Sequence, residues 1–153
     1  MTAKEYLNQI RLLDLKIGQK IEERDHLKAM AEGNSSPVLS KDKVQTSGSG
    51  DKMARTVDKY VDLEIEIDRL IDQYVDMRDK IIDQIHALNK AKYVELLYLK
   101  YVGRKGRDGR THYLRLEEIA CVMKKSNGMP YTYEHIRSLH GEALKKFEEI
   151  NLS

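Results

Sequence analysis

Along residues 3–32 apolar side chains return every three or four positions, at Tyr6, Ile10, Leu13, Ile17 and Ile21 and again at Leu27 and Ala31. A backbone that turns through about 100° per residue puts such positions on one face, so the spacing predicts an amphipathic helix, stopped at Gly33. Residues 34–51, NSSPVLSKDKVQTSGSGD, break the pattern. They carry too little apolar surface to offset the entropy of ordering them, and read as a long flexible loop. The period resumes at Tyr60 and holds through Leu63, Ile67, Leu70, Tyr74, Met77, Ile81, Ile85 and Leu88. It predicts a second helix over residues 52–88, capped by Asp51 and roughly 55 Å long at ~1.5 Å per residue.

A stripe this regular calls for a helical partner. The nearest is the first helix, folded back through the loop as an antiparallel, coiled-coil-like hairpin. Asp58, Asp62, Asp72, Asp76, Asp79 and Asp83 fill the opposite face. That face reads either as a solvated surface or as a docking surface for a basic partner protein. Val61, Ile65, Ile71, Val75 and Ile82 flank the stripe. One short partner leaves part of them bare, which opens a route to a homodimer through the helical arm.

From Asn89 onward the segments shorten. Residues 90–102, KAKYVELLYLKYV, predict a helix with Val94, Leu97, Tyr98 and Tyr101 on one side. Residues 103–113, GRKGRDGRTHY, carry glycines at 103, 106 and 109 and are not helical. Residues 114–124, LRLEEIACVMK, predict a short helix with Leu116, Ile119, Ala120 and Met123 inward. KSNGMP is a turn, and YTYEHIRSLHGEAL starts a last helix that continues to about residue 150, with Thr132 opening it. Three helices, the last two short and separated by a turn, outline a helix-turn-helix DNA reader.

Charge sharpens the division. Residues 1–88 hold 14 Lys and Arg against 17 Asp and Glu, a net of −3, while residues 89–153 hold 13 against 8, a net of +5. Six of the cations and one Asp lie within residues 100–115. A basic C-terminal part on an acidic N-terminal part points to a polyanionic partner for the former. No apolar run approaches the ~20 residues of a membrane span, and the N-terminus lacks a signal-type apolar block, so a cytoplasmic protein without a membrane partner is expected. The single cysteine, Cys121, excludes an internal disulfide framework and reads as a small core residue.

In the last helix Ile136, Leu139, Ala143, Leu144 and Phe147 share one face. Opposite them lie Glu134, Ser138, Gly141, Glu142 and Lys145, flanked by His135, Arg137 and Lys146. Glu134, His135, Arg137 and Ser138 are therefore candidates for base-edge contacts, and Lys145 and Lys146 for phosphate contacts. Gly141 costs the helix roughly 1 kcal/mol relative to Ala. Close approach of a DNA backbone is one reason to keep it; simple tolerance is the other. Arg104, Lys105, Arg107 and Arg110 are further candidates for phosphate contacts, on either a small wing turned at Asp108-Gly109 or a disordered basic loop. The segment is not a nucleotide-binding loop, since it lacks the GxxxxGK[ST] spacing. No catalytic set, cofactor site or metal site emerges. His26, His86, His112, His135 and His140 fall into no ligand spacing with Cys121 or one another, and His140 reads as a half-buried packing residue.

The sequences LLYLKYV, LRLEEIACVMKKS and YTYEHIRSLHGEALKKFEEI resemble the C-terminal module of a phage-encoded family related to the ArpU and RinA transcriptional activators. That module is itself similar to DNA-binding region four of bacterial sigma factors. Lys100-Tyr101 stands where the family has LxxRY, Glu118-Ile119-Ala120 in its EEIA helix, Thr132 at its Ser cap and Leu139–Leu144 in its LHxEAL ending. YLNQIRLLDLKIGQKIEE and KVQTSGSGDKMARTVDKYVDLEIEI resemble the family's helical arm. Two departures stand out: segment 103–113 and the turn KKSNGMPY are both longer than usual, which leaves the helix crossing and the base contacts open.

Together these readings give an all-α chain. Residues 1–88 form the hairpin arm with its loop at 34–51. Residues 89–153 form a sigma-region-four-like helix-turn-helix domain whose recognition helix covers about 132–149. The resemblance implies a phage or prophage transcriptional regulator, not an enzyme, that binds double-stranded DNA and uses the arm to dimerise or to contact RNA polymerase. A small-terminase-like DNA-packaging subunit, or an interaction adaptor that binds no DNA, are the alternatives.

Overall fold

A computed structural model describes residues 1–33 and 48–153. The chain is predominantly helical. Helix α1 spans Ala3–Leu7, α2 Gln9–Gly33, α3 Gly48–His86, α4 Ala91–Leu97, α5 Leu116–Val122 and α6 Tyr133–Asn151. A π-helical turn, Tyr98–Val102, follows α4, and a two-stranded antiparallel hairpin pairs β1, Arg104–Lys105, with β2, Thr111–His112.

Several boundaries differ from those the sequence suggests. The first predicted helix is broken at Asn8, between α1, capped by the Thr2 side chain, and α2. The second starts at Gly48, so Asp51 lies inside α3 and does not cap it. Most of the expected loop, residues 34–47, lies outside the described residues. The helix expected over 90–102 changes geometry at Tyr98, where the Gly103 N–H donates to the Tyr98 carbonyl at 2.8 Å, five residues back. The last two short segments keep their expected order. Thr132 caps α6, its hydroxyl accepting from the His135 N–H at 3.2 Å.

Two compact units are present, residues 1–12 with 74–153, and residues 13–73. The division does not fall at residue 88, and the reason is the core. Ala3, Leu7 and Ile10 from the N-terminus and Ile81, Ile85 and Leu88 from the end of α3 are buried in one cluster with Leu96, Leu97, Ile119, Ile136, Leu139, Ala143 and Phe147. Phe147, the chain's one phenylalanine, is fully buried, and its ring centre lies 6.0 Å from that of Tyr6. Helices α1, α4 and α5 all pack on α6. Polar ties close the same seam: the Tyr6 hydroxyl donates to Gln84 Oε1 at 2.8 Å, and Asn151 Nδ2 donates to the Gln84 carbonyl at 3.3 Å.

Residues 13–73 form the other unit from parts of α2 and α3. Its buried positions are Ile17, Leu63, Ile67 and Leu70, which lie on the predicted stripes. Arg24 pairs with Glu64 at 3.2 Å, and Leu27, Lys28 and Ala31 share a groove with Thr56, Val57 and Tyr60. The partner numbers fall on α3 as they rise on α2. Val57, Val61, Ile65, Ile71 and Val75 stay exposed.

A fragment of residues 89–153 should therefore fail to fold alone, since it lacks the apolar side chains that α1, α2 and α3 bring to the core. Leu7→Ala in the full chain should cost about 2–5 kcal/mol in urea denaturation, the usual range for emptying a buried leucine site. A loss below about 0.5 kcal/mol, or a folded 89–153 fragment by circular dichroism, contradicts this placement of the core.

Candidate nucleic-acid interface

The buried side of α6 fixes its exposed side. Ile136, Leu139, Ala143 and Phe147 enter the core, so Glu134, His135, Arg137, Ser138, Gly141, Lys145 and Lys146 are left on the surface. A Cβ added at Gly141 meets no neighbouring heavy atom within 4 Å. Protein packing therefore does not require the glycine.

Residues 103–112 form a wing rather than a disordered loop. The turn holds three residues, Arg107, Asp108 and Gly109, rather than the two-residue Asp108-Gly109 turn the sequence suggests. The Gly106 N–H donates to the Arg110 carbonyl at 2.8 Å, and the Gly109 N–H to the Gly106 carbonyl at 3.0 Å. Gly109 takes a φ of 77°, the left-handed residue such a three-residue turn needs. The Asp108 carboxylate accepts from the Arg110 backbone N–H at 3.0 Å and lies 3.1 Å from His112 Nε2, contacts that hold it below the usual carboxylate range. Gly103, with a φ of 80°, lets the chain leave the π-helical turn: a Cβ there would sit 2.7 Å from the His112 carbonyl oxygen. Arg104, Lys105, Arg107 and Arg110 are all exposed on this wing.

The long turn before α6 repeats the device. The Lys125 N–H donates to the Met129 carbonyl at 2.8 Å, the Gly128 N–H to the Lys125 carbonyl at 2.9 Å, and Gly128 has a φ of 81°. Asn127 Oδ1 accepts from the Met129 N–H at 3.0 Å, as Asp108 does in the wing. The extra length of KSNGMP is thus taken up in an ordered hairpin turn.

Two cations that the pattern of α6 does not reveal stand beside its start. Lys92 and Lys125 approach the Tyr131 ring to 5.8 and 5.7 Å, and His135 meets the same ring edge-on at 4.9 Å. Their spacing in sequence carries no signal, because α4 and the turn meet only in the fold. Cys121 is exposed, not a core residue: α5 turns Ile119 and Ala120 inward and Cys121 outward. His140 is more buried than expected. Its Nε2 lies 2.7 Å from the Tyr101 hydroxyl, and burial lowers its pKa to about 4. Burial likewise raises Tyr101 well above the usual phenol range.

Among the described residues no group of three or more His, Cys, Asp or Glu side chains is placed to hold a metal, and no helix is long and apolar enough to cross a membrane. No family model matches the chain, and no curated protein or solved structure matches it at a significant level.

The His140 environment sets an acid limit on stability. A neutral imidazole in the folded state and an ordinary one near 6.5 in the unfolded state mean that the unfolded chain binds the extra proton between those values. The contribution is complete above about pH 6.5 and is lost as pH falls towards 4, amounting to about 3 kcal/mol. His140→Gln should flatten that limb of a stability–pH curve measured by urea denaturation. An unchanged limb assigns the acid sensitivity elsewhere.

Proposed function

We propose that this chain is a sequence-specific double-stranded DNA-binding transcriptional regulator of phage or prophage origin, as its resemblance to the ArpU and RinA-type activators implies. On this reading α4, α5 and α6 are a sigma-region-four-like helix-turn-helix and α6 is the recognition helix. Glu134, His135, Arg137 and Ser138 read base edges. Arg104, Lys105, Arg107, Arg110, Lys145 and Lys146 hold phosphates, with Lys92 and Lys125 added at the start of α6. The observation that carries the reading is the face of α6: polar, exposed and interrupted by a glycine beside which a Cβ would meet no side chain or other segment within 4 Å. Side chains of this kind on a helix held rigidly from behind suit a major groove.

In the same reading, residues 13–33 and 48–73 belong to an antiparallel helical hairpin. Its exposed Val57, Val61, Ile65 and Ile71 form the surface through which the protein dimerises or meets RNA polymerase in the cytoplasm. That surface also favours a second reading, a DNA-packaging subunit that assembles through the arm. Sedimentation separates the two: a monomer or dimer fits the regulator, a ring-sized assembly the packaging subunit.

The test is selection of duplexes from a random pool, followed by anisotropy titrations. Arg137→Ala should lower affinity for the selected site by about 1–3 kcal/mol and relax preference at one position. Gly141→Ala should leave affinity unchanged and add up to ~1 kcal/mol of stability, while Gly141→Leu keeps the fold and loses affinity. A Gly141→Leu protein that binds as tightly as the parent removes α6 from the groove.

A further inference from the structure

Four aliphatic side chains of α3 within the unit of residues 13–73 turn away from its buried positions. Val57 is 49% exposed, Val61 48%, Ile65 63% and Ile71 39%. At about 100° per residue they fall within one arc of about 120°, while the buried Leu63, Ile67 and Leu70 point to the other side of the helix. Branching at Cβ makes Val and Ile poorer helix formers than Ala or Lys, because rotamer freedom is lost against the preceding turn. Four of them in one exposed arc are a local cost that burial within this chain does not offset.

The charged residues of that arc are all acidic. Asp68 and Asp72 lie among the aliphatic side chains and Asp58 at their edge, and among the described residues none of the three joins an ion pair. Glu64, also within the arc, is tied to Arg24 at 3.2 Å. The cations of this stretch stand elsewhere. Arg55 and Lys59 turn away from the arc, and Arg69 Nε donates to Glu66 at 3.0 Å. Lys28 of α2 shares a groove with Val57 and Tyr60, at the end of the arc remote from Asp68 and Asp72. This pattern decides between occupants. A second copy laid face to face along the arc meets acid with acid whether parallel or antiparallel, since the arc offers no cation, and like charges so placed disfavour the pairing. Nucleic acid is repelled for the same reason.

We infer that the arc of Val57, Val61, Ile65 and Ile71 docks one helix of another protein, amphipathic and basic, with Lys or Arg beside its apolar stripe to meet Asp58, Asp68 and Asp72. The apolar stripe covers the exposed aliphatic side chains, and the flanking cations set orientation and exclude acidic helices. The inference rests on the arm reading above, choosing a partner protein over a second copy, and is independent of DNA binding.

The test uses the full chain and two synthetic peptides that share one helical stripe of Leu, one with Lys and the other with Glu at the flanking positions. The parent should bind the Lys peptide saturably by anisotropy, with slowed hydrogen exchange in residues 52–73, and leave the Glu peptide free. Asp68→Lys with Asp72→Lys, and separately Ile65→Ser, alter only exposed positions and should keep the parent's melting temperature. Each should weaken binding of the Lys peptide by about tenfold. Where the charge-reversed variant melts lower, Asp68→Asn with Asp72→Asn decides in its place. A parent that binds neither peptide, or both equally, overturns the inference, as does undiminished affinity in the charge variant or protection only outside residues 52–73. Loss on charge reversal without loss in Ile65→Ser leaves adhesion between charges alone and overturns it too. So does a parent dimer, by sedimentation, that Ile65→Ser splits, since a second copy then covers the face. The charge-reversed variant should bind a selected duplex as the parent does. A parent that binds no duplex ends the DNA-binding reading and leaves the peptide result to decide this one.

Discussion

The apolar face of α6 is held from both ends of the chain. Ile136, Leu139, Ala143 and Phe147 are buried among Leu7 and Ile10 from the N-terminus, Ile81 and Ile85 from α3, and Leu96, Leu97 and Ile119 from the helices just before α6. Fully burying one such side chain is worth about 1.5–3 kcal/mol, so a seam of several contributes heavily to stability. It also fixes the rotation of α6 about its own axis. Once Phe147 is inward, Arg137, Ser138 and Gly141 have only the surface to go to. The core thus decides which residues α6 presents to solvent.

Local hydrogen bonding then shapes what surrounds that face. Thr132 sets where α6 begins, by accepting from the His135 N–H. Two turns of one design, each with a left-handed glycine and an Asx side chain that accepts from the backbone two residues on, shape the wing and the approach to α6. The π-helical turn ends at Gly103, the residue that lets β1 start close against His112. These are short-range constraints, and they place long-range charge: Arg104, Lys105, Arg107 and Arg110 on the wing, Lys92 and Lys125 at the start of α6.

How far the sequence reveals this depends on range. The stripes of α2, α3 and α6, the Thr132 cap and the outward residues of α6 are legible because period and capping are local. The registration of α1 against α6 is not, because Leu7 and Phe147 are distant in sequence and the predicted stripe of the first helix passes Leu7 by. The same distance hides the approach of Lys92 and Lys125 to one ring, that of Tyr131. Cys121 misleads for a different reason: a short helix has little periodicity, and composition alone suggests burial where α5 turns the thiol outward. The wing's turn falls one residue longer than the Asp-Gly pair implies, because Arg107 joins it.

Hydrogen exchange on the full chain, with and without a duplex selected from a random pool, distinguishes DNA binding through α6 from binding elsewhere, because it reports every backbone segment at once. Binding through α6 and the wing predicts slowed exchange in residues 132–146 and 103–112 on adding duplex, with residues 52–73 unchanged. Protection confined to α2 and α3, with α6 unaltered, would contradict it and give the surface of α6 another purpose.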